Sequence, residues 1–405
     1  MSKFLIPTIG TRGDVQPYIA LALGLNHAGH EATIASHPCM RSLVESYGIH
    51  FAPMGPDIDI ARETAIIRGH SPNWMIGFMR VMKFSFIMLE QCHPDLLKLC
   101  RQNDWVIVSH TAAGSIEADQ LGMPAISVTL SPQAIPAPDP ADSLIKRGLM
   151  RIAGAGMGMV MTRPLNQIRK RVGVQPMGPT GITSPKLNLI PISPEIYSPN
   201  PRWETRHQMT GYWFAPSPLE WTPPVDLQAF MDEGVPPVIV SLGAMSISGE
   251  DAQEAAEITI HAVQDAGARA IIQGWDEPIG KMTLPANIFH AGSIPHEWLL
   301  PRSAALMHHG GFGTTAAGFR AGIPQIVIPH IIDQFIWGQK VQELGVGPQP
   351  ISRAQLKSEI LTEAIRKVME DEVIRMKANT LGQQIRSERG VERAIELITD
   401  VVDKG

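Results

Sequence analysis

A chain of 405 residues, 44% hydrophobic and 18% charged, is long enough for two domains and apolar enough to bury a core in each. Its net charge of −5, with no basic block, argues against nucleic acid as a partner. Cys39, Cys92 and Cys100 form no CxxC pair and fit reduced thiols in the cytoplasm. The N-terminal "MSKFLIPTIG" lacks the apolar core of a signal peptide, and no run of ~18 apolar residues is present to span a membrane.

Phe4–Gly10 (FLIPTIG) is predicted to form a strand. A helix follows over Gln16–Gly29, with Pro17 in its first turn and Gly29 at its end. His30–Ser36 reads as a second strand. Trp74–Glu90 (WMIGFMRVMKFSFIMLE) is a helix apolar on most faces, with Arg80 and Lys83 on the remaining strip. Such a helix is ordinarily core; the other reading is that its methionines and aromatics line an apolar pocket. Asp104–His110 and Pro124–Leu130 are predicted as buried strands around a helix over Gly114–Gly122. Gly148–Pro164 supplies more Met- and Gly-rich material. Short apolar runs alternating with helices predict an α/β fold with a parallel sheet.

Phe214–Pro224 (FAPSPLEWTPP) then places four prolines in eleven residues, a stiff connection. The expected domains are therefore 1–215 and 225–385, joined by 216–224. Strands are expected at Pro236–Gly243, Ala268–Gly274, Asn287–Ile294, Ala304–Gly311 and Gln325–Pro329, with helices between them. A last helix at 386–405 carries Val391, Ala394, Ile395, Ile398 and Val402 on one stripe, able to pack back on the first domain. In doubly wound sheets ligands bind beyond the carboxyl ends of the strands, so the loops there are where chemistry belongs.

Three such loops stand out. "GTRGDVQP" (10–17) sets Asp14 between the first strand and first helix, either as a helix cap or as a general base whose pKa partial burial would raise. "LMHHGGFGTT" (306–315) is a strand, a glycine turn and a helix start. Its glycines let the backbone approach a ligand, and the helix amides suit a phosphate, with Thr314, Thr315 or His309 as added donors. It is no P-loop, and no GxGxxG follows the first strand, which disfavours a nicotinamide oxidoreductase. Two adjacent histidines on a strand point to opposite faces and make a poor metal pair. "IVIPHIIDQFIWGQKV" (326–341) puts Asp333 and Gln334 after a strand, a pair suited to vicinal sugar hydroxyls or, for Asp333, to an N-cap. "DID" at Asp57–Asp59 precedes a helical segment and reads as its cap rather than as a metal motif.

At these motifs the sequence resembles the family 1 UDP-sugar-dependent glycosyltransferases of the GT-B fold, especially the sterol 3-β-glucosyltransferases and the vancomycin-group antibiotic glycosyltransferases. The likeness runs through Gly10–Leu25, "MTGYWF", "VSLGAM", "SIPHEWLLPR" and His308–Val341, in the family's order and over nearly the whole chain. It implies two Rossmann-like doubly wound domains facing across a cleft, acceptor in the first and nucleotide sugar in the second. It implies Asp14 as catalytic base, Thr11 and Arg12 bordering the donor, and Gly243 under the donor phosphates. Ile294 falls where uracil is read and His296 near the ribose. His309, Phe312, Gly313 and Thr314 match the diphosphate loop, and Asp333 and Gln334 the residues that hold the donor sugar.

Phe312 is bulkier than the family's usual residue, so its amide would serve while its side chain points away; Phe335 stands where the family often has proline. The reaction expected is inverting, metal-independent transfer of a sugar, glucose first among the choices, from a UDP-sugar to a hydroxyl of a sterol, terpenoid, polyketide or lipid alcohol. No cofactor is expected beyond the UDP-sugar co-substrate. Trp74, Phe78, Met79 and Met82 are the candidate acceptor residues, on a surface able to touch a membrane peripherally. The rival readings are a sugar-nucleotide 2-epimerase and a non-catalytic glycosyltransferase-like partner protein.

Overall fold

The computed structural model describes residues 1–404 apart from 70–73, 133–134, 136–142, 144–147, 149–161, 179–182, 218–220 and 243–249. The chain forms two compact units. The first comprises Met1–Asp59, Met82–Ala215 and Glu388–Gly405; the second comprises Ile60–Val81 and Pro216–Ser387.

In chain order the elements of the first half are β1 (Lys3–Pro7), α1 (Arg12–His27), β2 (Glu31–Ser36), α2 (Arg41–Glu45), β3 (His50–Pro53), α3 (Ile60–Gly69), α4 (Trp74–Cys100), β4 (Trp105–Val108), α5 (Ser115–Leu121) and β5 (Ala125–Val128). A helix α6 over 162–171 precedes β6 (Asn188–Ile190) and β7 (His207–Met209). The second half continues with α7 (Val225–Asp232), β8 (Val238–Ser241), α8 (Glu250–Asp265), β9 (Ala270–Gln273), α9 (Asp276–Ile279), β10 (Ile288–Ala291), α10 (His296–Leu299), β11 (Ala305–His308), α11 (Phe312–Ala321), β12 (Gln325–Val327), α12 (Ile332–Glu343), α13 (Ser358–Glu370), α14 (Glu372–Ser387) and α15 (Gly390–Asp403).

Unit 1 carries a seven-stranded sheet in the order β3-β2-β1-β4-β5-β6-β7 and unit 2 a five-stranded sheet in the order β10-β9-β8-β11-β12, every pairing parallel. Strands covered on both faces have no solvent side, which explains the unbroken apolar runs read in the sequence. In β1, Phe4 lies beside Ala32 of β2 and Trp105 of β4, and Phe4, Leu5 and Ile6 are fully buried. Burying side chains of this size contributes roughly 1.5–3 kcal/mol each.

Two elements differ from the sequence expectation. Helix α1 starts at Arg12 rather than near Gln16, because Thr11 and Asp14 form its cap and pull the preceding turn into the helix. Pro17 is thus inside α1, at the loss of one backbone bond. Helix α4 is not wholly core. Met88, Cys92, Leu96 and Cys100 form a buried seam at four-residue spacing, with Leu89 beside it, whereas Ile76, Met79 and Ile87 are exposed. Among the described helices none is long and apolar enough to cross a membrane.

Helix α15 packs on α1 in unit 1, where Ala394 and Ile398 join the cluster built by Phe4, Tyr18 and Ile19. Its seating leaves no room at its first residue: a Cβ on Gly390 would stand 2.3 Å from the Tyr212 carbonyl oxygen. That neighbour is backbone and cannot turn aside. Gly390→Ala should therefore cost about 1–3 kcal/mol, the range for overpacking, read as a lowered urea midpoint; an unchanged midpoint would show that α15 is loosely seated.

Candidate active site

In each sheet the strand order reverses near the middle, and connections from the two strands flanking the reversal leave in opposite directions. The gap between them is where such sheets accept ligands. In unit 1 the flanking strands are β1 and β4. In unit 2 they are β8 and β11.

The loop after β1 delivers Asp14. Thr11 is the N-cap of α1 and Asp14 occupies the third helical position. One carboxylate oxygen, Oδ2, accepts the Thr11 amide (2.7 Å) and the Thr11 hydroxyl (3.0 Å). Asp14 therefore closes a capping box from the inside and is not itself the N-cap. Gly10, at φ +143, makes the space: a Cβ there would stand 2.3 Å from Oδ2. The other oxygen, Oδ1, lies 3.3 Å from Nε2 of His110, which follows β4. His110 is the residue of this group that the sequence does not single out. It sits at the end of the run read as a strand, and only the β1–β4 pairing brings it to Asp14.

Burial is the largest single influence on Asp14 and acts to raise its pKa. The hydrogen bond and charge of His110 and the two Thr11 bonds outweigh it, and the pKa is lowered from 3.8. The raised value expected from burial is thus corrected. About a third of the side chain stays open to solvent, 35% by area, so the carboxylate is both ionised and reachable. Arg12 is the first residue of α1 and is partly exposed.

In unit 2 the loop after β11 is the glycine turn. Gly310 adopts φ +88, and a Cβ there would meet the Gln334 carbonyl and a Val327 methyl at 2.8 Å. Helix α11 is capped by Gly311 and begins at Phe312. Its first main-chain bond from Thr315 reaches Gly311 (2.9 Å). The amides of Phe312, Gly313 and Thr314 therefore have no acceptor within the helix, and they carry the positive end of its dipole. The Phe312 ring packs edge-on against Trp337 at 5.6 Å, so its side chain is directed into the protein. Thr315, expected as a donor to phosphate, is fully buried, and its hydroxyl is given to the Gly311 carbonyl (2.8 Å). The two histidines diverge, their rings 6.4 Å apart and nearly perpendicular. His309 lies over the glycines: a Cβ on Gly311 would stand 2.4 Å from its Nε2. His308 is fully buried, and its Nδ1 accepts the Gly310 amide (3.1 Å), which shapes the turn from beneath.

The loop after β12 reaches the same place through the contact of Gln334 with Gly310. Gln334 is buried, and its Oε1 accepts the amides of His330 (2.8 Å) and Ile331 (3.3 Å). The N-cap is Ile331, which has no polar side chain, so Gln334 does the capping from inside the helix. Asp333 is the second helical residue and exposed, not the N-cap. Ile294 is buried with Leu299 and Leu300, while His296 opens α10, which packs against α11. Phe335 is exposed.

Gly243, which follows β8, lies outside the described residues, as do the Trp74 and Phe78 side chains and nearly all of the 148–164 segment. Met79 is exposed and Met82 half-buried, and no described contact joins either to Asp14. Asp59 immediately precedes α3. Among the described residues no three His, Cys, Asp or Glu side chains are grouped to hold a metal.

Comparison with known proteins gives a consistent set of relatives. Residues 4–126 match the glycosyltransferase family 28 N-terminal domain, and residues 256–398 match the erythromycin biosynthesis protein CIII-like C-terminal domain. The O-mycaminosyltylonolide 6-deoxyallosyltransferase of Streptomyces fradiae is 29% identical over 98% of this chain and 97% of its own length. The sterol 3-beta-glucosyltransferase of Komagataella phaffii is 32% identical over 98% of this chain, which spans 34% of that longer protein. Among solved structures, the glycotransferase of kitacinnamycin superposes with a TM-score of 0.75 at 18% identity, covering 99% of both chains. Glycosyltransferase VinC in complex with dTDP gives 0.71 at 20% identity, covering 100% of both.

His308 sets a pH limit on the glycine turn. Burial, with the neighbouring His309, pushes its pKa from 6.5 down to about 3. The unfolded chain binds a proton there that the folded chain refuses, so stability falls as pH drops from 6.5 toward about 3, by ~1.4 kcal/mol per unit. His308→Asn keeps an acceptor for the Gly310 amide without the titration. Between pH 6.5 and about 5 the native protein should lose roughly 2 kcal/mol more than this variant in urea unfolding; equal losses would mean that His308 is protonated in the fold.

Proposed function

The chain belongs to the GT-B glycosyltransferases that include the sterol 3-beta-glucosyltransferases and the antibiotic glycosyltransferases, and from that premise we propose that it transfers a sugar from a UDP-sugar to a hydroxyl of an apolar natural product or sterol, with inversion and without a metal. The observation that carries this reading is the Asp14 carboxylate: ionised, oriented by Thr11 and His110, and about a third exposed, 35% by area.

Asp14 takes the proton of the acceptor hydroxyl as its oxygen bonds to the anomeric carbon. The bond from that carbon to the diphosphate breaks on the opposite face, so an α-linked donor yields a β-glycoside and UDP departs. Negative charge then grows on the diphosphate. The first amides of α11, at Phe312, Gly313 and Thr314, supply fixed dipoles for it at the positive end of the helix, needing no rearrangement as the bond breaks. His309 adds a side-chain donor at the same turn. Asp333 and the Gln334 carboxamide hold the sugar hydroxyls; since Gln334 Oε1 already caps α12, its NH2 is the group that donates. Ile294, with its side chain in the core, meets the uracil through its main chain, and His296 serves the ribose. Thr11 and Arg12 border the donor, Gly243 underlies its phosphates, and glucose is the sugar first proposed. Trp74, Phe78, Met79 and Met82 are proposed to favour an apolar acceptor.

A base of low pKa is weak toward an alcohol in water. Two things offset this. Acceptor binding excludes solvent from the carboxylate, and the proton moves late in carbon–oxygen bond formation, when the hydroxyl has become acidic.

Asp14→Asn should lower kcat by roughly 10²–10⁴-fold, the usual range for a general base, while UDP binding by calorimetry stays within about twofold; parallel loss of both would assign Asp14 a structural role. Turnover with UDP-glucose and a panel of sterols and polyketides should be unaffected by EDTA, and a chelator-sensitive rate would overturn the metal-free mechanism. The base works ionised, so activity falls as pH drops through its pKa. His110→Ala removes the main influences that lower that pKa, and the acid limb of kcat/KM should move upward; a limb that stays in place would dissociate His110 from the base.

A further inference from the structure

We propose that Tyr18 is a positioning residue for the transfer reaction: its hydroxyl proton fixes His110 as the Nε2–H tautomer, and His110 in turn aims and holds the Asp14 carboxylate. The proposal rests on the reading of Asp14 as the base.

Tyr18 lies one helical turn beyond Asp14 on α1, on the same face, and is fully buried. Its oxygen accepts the main-chain amide of His110 (2.9 Å) and stands 2.9 Å from His110 Nδ1. A phenol has one proton. With the amide already donating to the oxygen, that proton can be satisfied only by pointing at Nδ1. Nδ1 is then an acceptor, and the ring proton must sit on Nε2, the nitrogen 3.3 Å from Asp14 Oδ1. The opposite tautomer would leave the buried phenol proton without an acceptor and set a bare lone pair against a carboxylate.

The surroundings keep this arrangement rigid. The phenol and imidazole rings lie parallel, their planes differing by only 1° and their centroids 5.9 Å apart. The edge of Trp213 rests against the Tyr18 ring at 6.4 Å, and Trp213 is tied by its indole N–H to Thr210 (3.0 Å). Burial and the charge on Asp14 hold the Tyr18 pKa above its ordinary value, so the phenol remains a donor at any working pH. Both imidazole nitrogens are occupied. His110 is therefore no acceptor for the substrate proton, and that task stays with the carboxylate.

Tyr18→Phe removes the hydroxyl and leaves the ring in the core. We expect kcat to fall about tenfold, the acid limb of kcat/KM to rise, and acceptor KM and UDP affinity to stay within about twofold. In a His110→Gln background, where the Gln amide replaces Nε2–H, Tyr18→Phe should cost less than about twofold, because the hydroxyl has no imidazole left to orient. Two-dimensional 1H–15N spectra of histidine-labelled protein should show His110 as the Nε2–H form in the native chain and a tautomer mixture in Tyr18→Phe. A native Nδ1–H form overturns the proposal even if the variant fails to fold. So does a Tyr18→Phe protein with lowered melting temperature but native kcat, pH profile and tautomer. If instead Asp14→Asn retains turnover, the base assignment fails, while the spectra still report whether Tyr18 governs His110.

Discussion

Everything chemical in this molecule depends on where two parallel sheets reverse their strand order. A parallel strand ends with its connection climbing over one face. At the reversal, neighbouring connections climb over opposite faces and leave strand ends uncovered between them. In unit 1 the uncovered ends belong to β1 and β4, and Asp14 and His110 follow them. In unit 2 they belong to β8 and β11, and the glycine turn follows one of them. No further rule of sequence is needed to explain why the polar, glycine-rich stretches interrupt the apolar runs at these points.

The two units solve opposite electrostatic problems there. Unit 1 must keep a charge that burial opposes, and it does so with discrete donors: a main-chain amide, a threonine hydroxyl and an imidazole, all trained on one carboxylate. Unit 2 presents no fixed charge at its turn. It leaves the first amides of α11 without partners inside the helix and removes the side chains that would cover them, at Gly310, Gly311 and Gly313. A buried neutral histidine shapes the turn from below. In the proposed reaction, the carboxylate suits the proton of the acceptor and the helix amides suit the departing diphosphate.

What the sequence reveals and conceals follows from the range of the interactions. The α/β grammar, the parallel sheets and the loops at Asp14, His309–Thr314 and Asp333–Gln334 are legible because each is written within a dozen consecutive residues. The capping roles are only half legible. An aspartate or glutamine near a helix start is a recognisable sign, but whether it caps from the first position or reaches back from the third depends on the turn before it, as Asp14 and Gln334 show. Thr315 reads like a ligand donor and is instead spent on the Gly311 carbonyl. His110 was out of reach because 96 positions separate it from Asp14, and Tyr18 reads as one more apolar-face residue of α1. Long-range pairing, not local pattern, makes them a group.

The return of α15 to unit 1 has a consequence for biosynthesis. Ala394 and Ile398 complete a cluster that includes Phe4, Tyr18 and Ile19, all made before unit 2. The helix bearing the carboxylate thus waits, its flank at Gly24 open, while all of unit 2 is translated; only then do Val391 and Ile395 arrive to cover it. Until α15 is made, the flank of α1 at Gly24 has no cover from Val391 and Ile395. The residues of unit 2 are thus all in hand before α15, so unit 2 can close before unit 1 is sealed.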